Sequence, residues 1–442
     1  MSSSTSSIRN VIYIHTHDMG RYISPYGYAM PTPNLQGFAE DATLFRQAFC
    51  CGPTCSPSRA GLLTGVSPHE SGMLGLAHRG FGFSHPEYHL GAYLKEQGFM
   101  TALCGMQHEF NNDWSQMPYE HVVKEGIPGD HLGTDEAWTQ AAIDFLNQPQ
   151  ERPFFLSYGL FYPHRPFLEA DYTKYRPEYM KVPDPLPDTP ETRRDMADYH
   201  YTVSLADTCI GRVLDTIRAT GRDKDSLIII TTDHGVAFPA MKCNLTDHGI
   251  GVTLMMNYPG NPAGGEACDA LVSHMDVFPT ICELLGLDAP TYLRGNSMVP
   301  LFEKTAPTIR DEVFSEVSFH AAYEPMRCVR TDRYKLIRRF FSSKRRLANC
   351  DNSTSKTLMI ESGWADSELP ELELFDLRLD PHEANNLVGH ADYAAIQADL
   401  EQRLDTWMQE TEDPLLQGEI PRPTGSMVNT PEALDPSGPL EA

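Results

Sequence analysis

The chain has 442 residues, which is too many for one small core and enough for two or three domains. Hydrophobic residues make up 41% of the chain and charged residues 21%, as in globular proteins that fold in water. The formal net charge of −25 repels nucleic acid, anionic membranes and long polyanions, so we expect neither a nucleic-acid partner nor a membrane partner.

The N-terminal sequence and the cysteines bear on the cellular compartment. No apolar run approaches the roughly 20 residues of a membrane span. Residues 1–9 have neither the basic region nor the apolar region of a secretion signal. We therefore expect a cytoplasmic protein, in which the 10 cysteines are reduced thiols rather than a disulfide framework.

Short apolar runs alternate with helical stretches through the first two thirds of the chain. Strands are predicted at residues 11–14, 100–103, 153–158 and 227–230, and helices at residues 89–97, 135–147 and 192–220. This alternation predicts the α/β class, with a large, mostly parallel sheet flanked by helices. We assign this α/β domain to residues 1–305.

The character of the sequence changes after residue 300. Three strands of an antiparallel sheet are predicted at residues 313–318, 327–337 and 371–377, and an amphipathic helix at residues 394–410. Between them, residues 342–370 are predicted to be an irregular insertion. The sequence thus predicts a smaller C-terminal α+β domain over residues 306–425. A tail over residues 426–442 is predicted to be a surface strap or disordered.

Polar turns follow two of the predicted strands. His17 and Asp18 follow the first strand, and Asp233 and His234 follow a later one. In a parallel sheet, ligands gather at the carboxyl ends of the strands, where both turns would lie. Carboxylates from two strand ends suit a hard divalent cation with oxygen ligands. Each aspartate taken singly also fits an ordinary turn or helix cap.

The segment from Cys55 to Gly65 reads Cys-Ser-Pro-Ser-Arg-Ala-Gly-Leu-Leu-Thr-Gly. Ser56 is predicted to cap a helix, and Pro57 fits the first turn of that helix. The free N–H groups and the positive dipole end of a helix start favour an anion, so Cys55 would lie where an anion binds. Arg59 is one helical turn further on and can point the same way.

This segment resembles the signature of the formylglycine-dependent type I sulfatases, a family with an alkaline phosphatase-like fold. The resemblance implies that a formylglycine-generating enzyme oxidises Cys55 to 3-oxoalanine (formylglycine), and that the aldehyde hydrate attacks sulfur. It also implies that Asp18, Asp233, His234 and His17 hold one divalent metal, with the residue at position 55 as a further ligand. Residues 72–76, 238–245, 325–327 and 407–414 are most similar to members like the N-sulfoglucosamine sulfohydrolases.

The same resemblance implies roles for residues outside the motif. Arg59 and Lys242 would neutralise the sulfate, and His164 would protonate the leaving group. His108 would bind the nucleophile or help to release sulfate. Gln107 and His320 are expected to contact the substrate, with His320 lining a sugar pocket.

Two positions depart from the family pattern. The family usually has two consecutive aspartates where this chain has His17 and Asp18, and it has a lysine where this chain has Met106. Calcium is the metal that the resemblance implies, while an imidazole at position 17 makes Mn²⁺ or Zn²⁺ more plausible than at an all-oxygen site. Without the lysine, Arg59, Lys242 and Gln107 would have to offset the sulfate charge.

The sequence therefore predicts a hydrolase of sulfate esters or sulfamates that acts on a small or terminal saccharide. A small anionic substrate is easier to admit into so acidic a protein than a polymer. A phosphonate monoester or phosphodiester hydrolase, or an arylsulfatase, on the same fold remains an alternative. So does an inactive sugar-binding relic in which Cys55 stays a thiol. Whether the chain forms a homo-oligomer is left open.

Overall fold

The computed structural model describes residues 8–111, 116–123, 134–341 and 343–441. A large sheet of eight strands forms the centre of the molecule. Its strands are β1 (Asn10–Thr16), β2 (Thr43–Phe49), β3 (Met100–Gly105), β4 (His121–Val122), β5 (Phe154–Gly159), β6 (Ser226–Thr232), β7 (Leu254–Asn257) and β8 (Ala267–Ser273).

The strand order in this sheet is β4-β3-β5-β1-β6-β7-β2-β8. Neighbouring strands pair in parallel except at β7, which runs antiparallel to both β6 and β2. The predicted mostly parallel sheet is therefore confirmed. The four strands predicted from apolar runs are β1, β3, β5 and β6, and they lie side by side in the sheet.

Helices cover the sheet on both faces. The described helices are α1 (Pro33–Ala39), α2 (Cys55–Thr64), α3 (Pro68–Ser71), α4 (Leu90–Glu96), α5 (Thr134–Asn147), α6 (Pro190–Ala219), α7 (Asp247–Ile250), α8 (Val277–Leu285), α9 (Val299–Phe302), α10 (Thr354–Glu361) and α11 (Ala394–Glu410). The three helices predicted in the α/β domain correspond to α4, α5 and α6, with ends within two residues of those expected.

The side chains of β1 show why its sequence is a continuous apolar run. Val11 and Tyr13 belong to a cluster that includes Leu62 of α2, whereas Ile12 and Ile14 belong to a second cluster on the other face. Successive side chains of a strand point to opposite faces, so a strand covered on both faces must be apolar at every position.

The C-terminal region forms a separate antiparallel sheet of four strands in the order β12-β11-β10-β9. Its strands are β9 (Glu312–Phe319), β10 (Tyr323–Thr331), β11 (Tyr334–Arg339) and β12 (Leu372–Asp376). The single strand predicted at residues 327–337 is wrong, because a turn at Asp332 and Arg333 divides it into β10 and β11. The Thr331 hydroxyl accepts hydrogen bonds from the backbone N–H groups of Arg333 and Tyr334 and so closes that turn.

The segment predicted to be an irregular insertion is more ordered than expected. It contains α10, whose N-cap Ser353 accepts a hydrogen bond from the backbone N–H of Lys356 at 3.0 Å. The tail forms a strap, in which Asn429 donates its backbone N–H to Ala321 and accepts a hydrogen bond from Arg79. Of the helices within the described ranges, none is long and apolar enough to cross a membrane.

Candidate active site

The two polar turns that follow β1 and β6 meet at the carboxyl ends of the strands of the large sheet. β1 and β6 are paired in parallel up to Thr16 and Thr232, so the residues that follow them lie next to each other. The backbone N–H of Asp18 donates to Oδ1 of Asp233 at 2.9 Å. Nε2 of His234 lies 3.2 Å from Oδ1 of Asp18, and Nδ1 of His17 lies 3.0 Å from Oδ2 of Asp233. The structure thus brings together all four side chains predicted as metal ligands at the strand ends.

The two predicted catalytic histidines follow the neighbouring strands β3 and β5. Gly105 and Gly159 end these strands, and a Cβ on Gly105 would lie 2.1 Å from the carbonyl oxygen of Gly159, so no larger residue fits there. The rings of His108 and His164 both meet the ring of His17 edge-on, with centroid distances of 4.8 and 5.2 Å. His108 and His164 therefore lie beside the strand-end carboxylates.

Helix α2 directs its N-terminus at this cluster. All ten of its residues are buried, and its first residue is Cys55. Sγ of Cys55 lies 3.4 Å from Nε2 of His234. The predicted cap at Ser56 is wrong, because the helix begins two residues earlier than a cap at Ser56 would place it, and Thr54 is its N-cap. The Ser56 hydroxyl instead accepts a hydrogen bond from the backbone N–H of Ala77 at 3.0 Å.

Two further residues of the motif join α2 to the end of β6. The hydroxyl of Ser58 donates to the carbonyl oxygen of Asp233. The guanidinium of Arg59 is fully buried and donates to Oδ2 of Asp233 at 3.0 Å and to the carbonyl oxygen of Thr16 at 3.2 Å. A further short contact joins Arg59 to His15. Arg59 therefore contacts a predicted metal ligand directly.

Lys242 is the second cation of the site and lies on the other side of Asp18. Its Nζ is 3.1 Å from Oδ2 of Asp18, 3.0 Å from Oδ2 of Asp351 and 3.5 Å from Nε2 of His164. Burial alone would lower the pKa of Lys242, but the two carboxylates outweigh burial and raise that pKa well above its usual value. Lys242 therefore carries a positive charge between the strand-end carboxylates and His164.

The donor atoms at the strand ends fit a divalent metal ion. Asp18, Cys55, Asp233 and His234 each offer one ligand atom within 4.8 Å of the others, and His17 and His164 form an overlapping group with Asp18 and Cys55. Among the described residues, the buried Nε2 of His17 and Oδ1 of Asp18 have no hydrogen-bond partner. Buried polar atoms are rarely left unpaired in proteins, and a metal ligand is one explanation.

The charges around these donors favour the forms that bind metal. Burial lowers the pKa of His17 to about 3, so its imidazole is neutral at neutral pH. Burial alone would raise the pKa of Asp233, but His234, His17 and Arg59 outweigh it and hold that pKa well below its usual range. A neutral imidazole and an ionised carboxylate are the forms in which these side chains coordinate a metal.

The hydrogen bond made by His164 decides which of its nitrogens can carry a proton to a substrate. Nδ1 of His164 lies 2.5 Å from the carbonyl oxygen of Arg165. Because a carbonyl oxygen only accepts, Nδ1 must be the donor, and Nε2 is the nitrogen that faces Lys242 and Asp18. The His164 side chain is 19% exposed, whereas Asp18 beside it is fully buried, so His164 lies towards the outside of the site.

The two residues predicted to contact substrate have different surroundings. Oε1 of Gln107 accepts hydrogen bonds from the backbone N–H groups of Glu109 and Phe110, and its amide nitrogen donates to the Phe110 carbonyl. These contacts favour a structural role for Gln107 over the predicted substrate contact. His320 is buried, and burial together with the positive charge of Lys242 lowers its pKa well below the usual value.

Asp351 is the acidic residue of the site that the sequence did not single out. It belongs to the segment predicted to be irregular, and no motif or periodicity marks it. Lys242, His164 and His320 are the positive or ionisable groups that act on its charge, and they outweigh burial to hold its pKa well below the usual value. Its position was not accessible to sequence reasoning, because it depends on how the C-terminal region docks onto the large sheet.

A mostly parallel α/β sheet with a buried cysteine at a helix start, donor atoms suited to a metal ion and two cations beside its strand ends is typical of hydrolases of anionic ester groups. The chain belongs to the sulfatase family. The family model described as sulfatase matches residues 9–287. A second model, described as the C-terminal part of N-sulphoglucosamine sulphohydrolase, matches residues 241–354.

Known relatives agree with this assignment. The chain is 29% identical to N-sulphoglucosamine sulphohydrolase of Homo sapiens over 462 aligned positions, which cover 92% of this chain and 91% of the human one. A solved 2-O GAG sulfatase has the same fold, with a TM-score of 0.74, 19% identity and coverage of 94% of this chain and 95% of that one. So has the phosphonate monoester hydrolase of Agrobacterium radiobacter, with a TM-score of 0.71, 21% identity and coverage of 92% and 97%.

The protein is therefore an enzyme that hydrolyses sulfate esters or sulfamates. The alkaline phosphatase-like fold implied by the sequence resemblance is confirmed. Sulfatases as a family use a divalent metal and a formylglycine, and the donor set described above is suited to a divalent metal.

Proposed function

We propose that the enzyme removes sulfate from a small or terminal amino sugar, from nitrogen or from oxygen, with a formylglycine made from Cys55. The observation that carries this proposal is the placement of Cys55 at the buried start of α2, next to His234 and among the side chains that could hold a metal ion. The amino sugar is suggested by the likeness to human N-sulphoglucosamine sulphohydrolase, which extends over nearly the whole chain.

A formylglycine at position 55 would supply, as its hydrate, one hydroxyl that attacks sulfur and loses its proton to water, and a second whose deprotonation releases sulfate and restores the aldehyde. A divalent metal would polarise the sulfate oxygens and offset the charge that develops on them. The proposed formation of formylglycine requires a formylglycine-generating enzyme as a maturation partner.

The residues of the chain would then divide the remaining work. The bond between sulfur and the leaving oxygen or nitrogen breaks as Nε2 of His164, in its protonated form, gives a proton to the leaving group. Lys242 would hold a sulfate oxygen through its charge, since its Nζ already lies between His164 and Asp18. His108, on the other side of His17, would take the proton from the second hydroxyl. Water supplies the hydroxyl that restores the hydrate.

The metal identity follows from the donor atoms only in part. Calcium is the ion that the family resemblance implies, and it prefers oxygen ligands. This site offers two imidazoles beside two carboxylates, a softer and less negative set that also suits Mn²⁺ or Zn²⁺. We propose Ca²⁺ as the metal and expect weaker binding than at an all-carboxylate site.

The proposal is tested first by the chemical state of Cys55. Protein purified from its native host, or made together with a formylglycine-generating enzyme, is digested and the peptide over residues 55–65 is analysed by mass spectrometry. We expect the mass of an aldehyde in place of the thiol. An unmodified thiol in protein from the native host would overturn the proposed nucleophile and favour a sugar-binding relic.

The reaction class is tested by comparing the turnover of sulfated sugars with the turnover of a phosphodiester. We expect hydrolysis of glucosamine 2-N-sulfate or glucosamine 6-O-sulfate and much slower hydrolysis of bis(4-nitrophenyl) phosphate. The Cys55→Ala variant should lose these activities, because it cannot form the aldehyde. Phosphodiester turnover far above sulfate turnover would instead place the enzyme with the phosphonate and phosphodiester hydrolases.

A further inference from the structure

A carboxylate at the outer side of a sulfate site requires an explanation. Sulfate is an anion, and a negative charge near its binding site repels it. Asp351 nevertheless lies 3.0 Å from Lys242, the cation that we place on the sulfate. The carboxylate of Asp351 must therefore have another function that outweighs this repulsion. It either holds Lys242 in place or contacts a different part of the substrate.

The exposure of the side chains around Lys242 shows where the leaving group would lie. Asp18 is fully buried and Lys242 is 3% exposed, whereas Asp351 is 16% exposed and His164 is 19% exposed. Oδ2 of Asp351 is itself buried, so the exposure of this residue comes from the rest of the side chain. Asp351 and His164 thus form the outer side of the site, and His164 is the proposed proton donor to the leaving group.

The backbone on both sides of Asp351 is fixed by contacts with the rest of the molecule. Before it, Oδ1 of Asn349 accepts hydrogen bonds from the backbone N–H groups of Ala321 and Ala322. After it, Ser355 donates to Oδ2 of Asp195 at 2.5 Å. A side chain that must contact a substrate with the correct geometry needs such support from the residues around it.

The same contacts connect Asp351 to the loop of His164. Asp195 receives two hydrogen bonds from the guanidinium of Arg165, each at 2.8 Å, and Arg165 is the residue whose carbonyl orients the His164 ring. Ser355 and Arg165 therefore share one carboxylate. The segment that carries Asp351 and the loop that carries His164 are held in a fixed relation.

We propose that Asp351 is a specificity-determining residue, which accepts hydrogen bonds from the hydroxyl or amino groups of the leaving sugar. An ionised carboxylate accepts strong hydrogen bonds from such donors, and it can accept several at once. An aryl leaving group has no donor to offer it. Asp351 thereby makes the site select a saccharide sulfate over an aryl sulfate. This inference rests on the proposed sulfatase activity and identifies the chemistry of the leaving group.

The first test compares two substrates with the Asp351→Asn variant. The amide keeps the shape of the side chain but loses the charge and one acceptor. We expect kcat/KM for sulfated glucosamine to fall by about tenfold to hundredfold more than kcat/KM for 4-nitrophenyl sulfate, mainly through KM. Asp366→Asn, an exposed aspartate in the same segment, is the matched control. Equal losses on both substrates would show that Asp351 only holds Lys242 and would overturn the proposal.

The second test measures binding without turnover. In the Cys55→Ala background, calorimetry compares inorganic sulfate with glucosamine 6-O-sulfate. We expect Asp351→Asn to weaken binding of the sugar sulfate, whereas inorganic sulfate binds as well as before or more tightly because a negative charge has been removed. If the variant strengthens both or changes neither, the proposal is wrong. Failure of the proposed activity is recognised separately, because the unsubstituted enzyme would then hydrolyse neither sulfated glucosamine nor 4-nitrophenyl sulfate.

Discussion

The imidazole of His17 changes the metal site in a way that can be measured. It lies 3.0 Å from Oδ2 of Asp233, where a second carboxylate would repel that of Asp233 unless a cation lay between them. With His17 in place of a second carboxylate, the cluster carries less negative charge, so the folded state of the site depends less on a bound metal. The cost is a weaker attraction for a hard cation such as Ca²⁺.

The His17→Asp variant should therefore bind Ca²⁺ more tightly than the unsubstituted protein, by about tenfold or more, because it adds a carboxylate ligand. Without metal its melting temperature should be lower, since two buried carboxylates would repel each other. Calorimetric titration with Ca²⁺ and Mn²⁺, and melting curves with and without a chelator, measure both effects. Equal Ca²⁺ affinity in the two proteins would show that the residue at position 17 is not a ligand of the metal. His85→Asp, at an exposed position, is the control variant.

At the scale of elements, a buried ion pair joins the large sheet region to the C-terminal sheet. Glu316 of β9 accepts a hydrogen bond from the backbone N–H of His69 in α3 at 2.7 Å, and its second oxygen lies 2.5 Å from Nδ1 of the same residue. Arg327 of β10 lies between Glu316 and Asp413. Burial alone would lower the pKa of His69, but the Glu316 carboxylate outweighs burial and raises that pKa above 6.5.

This raised pKa predicts a pH dependence of stability. The protonated form of His69 is favoured in the folded state, so its pairing stabilises fully below about pH 6.5 and is lost as the pH rises through the folded-state pKa. His69→Gln should lower the free energy of unfolding by roughly 1–3 kcal/mol near pH 6 and by less at alkaline pH. Urea unfolding across this pH range measures the difference.

The matched control for this experiment is His85→Gln. His85 also pairs with a glutamate, Glu87, at 3.1 Å, but both side chains are exposed. Exposed ion pairs contribute little to stability, so this variant should unfold like the unsubstituted protein at every pH. A loss of stability in His69→Gln that is the same at all pH values would show that lost packing, and not the charge of His69, is responsible.

Elements with a strong local pattern could be predicted from the sequence, and those defined by their neighbours could not. The helix at residues 394–410 was predicted to the residue, because its apolar positions recur at helical spacing and three of them are buried. Strand β7 was missed because it has only four residues, and a short strand is held by pairing with β6 and β2 rather than by its own pattern.

The same distinction holds at the site. Cys55, Asp18 and Asp233 follow directly from a motif and from strand ends, and adjacent parallel strands must bring such ends together. Asp351 could not be found in this way, because it reaches Lys242 only through the docking of a segment about a hundred residues further along the chain. The helix cap predicted at Ser56 was wrong for a related reason, because the hydroxyl of Ser56 binds Ala77, which approaches from another part of the chain.

At the scale of the whole molecule, the charge of −25 surrounds a site that must admit an anion. A small sulfated sugar brings its few charges into the site, where Lys242 offsets the repulsion. A long sulfated polysaccharide carries many charges that remain outside the site, near the acidic surface. Since repulsion between exposed charges is screened over about 10 Å at 0.1 M salt, the difference between the two substrates should depend on ionic strength.

We therefore expect kcat/KM for a long sulfated polysaccharide to be far below that for the sulfated monosaccharide at low salt, and to rise by about tenfold or more as NaCl is raised to about 0.2 M. The monosaccharide should change much less, because it carries few charges. Steady-state kinetics with the same sugar as a monomer and as a polymer, at constant pH, measure this ratio. A polymer rate that falls as salt is added would mean that a local basic surface attracts the chain, and it would contradict the preference for small or terminal substrates, because only net repulsion is relieved by screening.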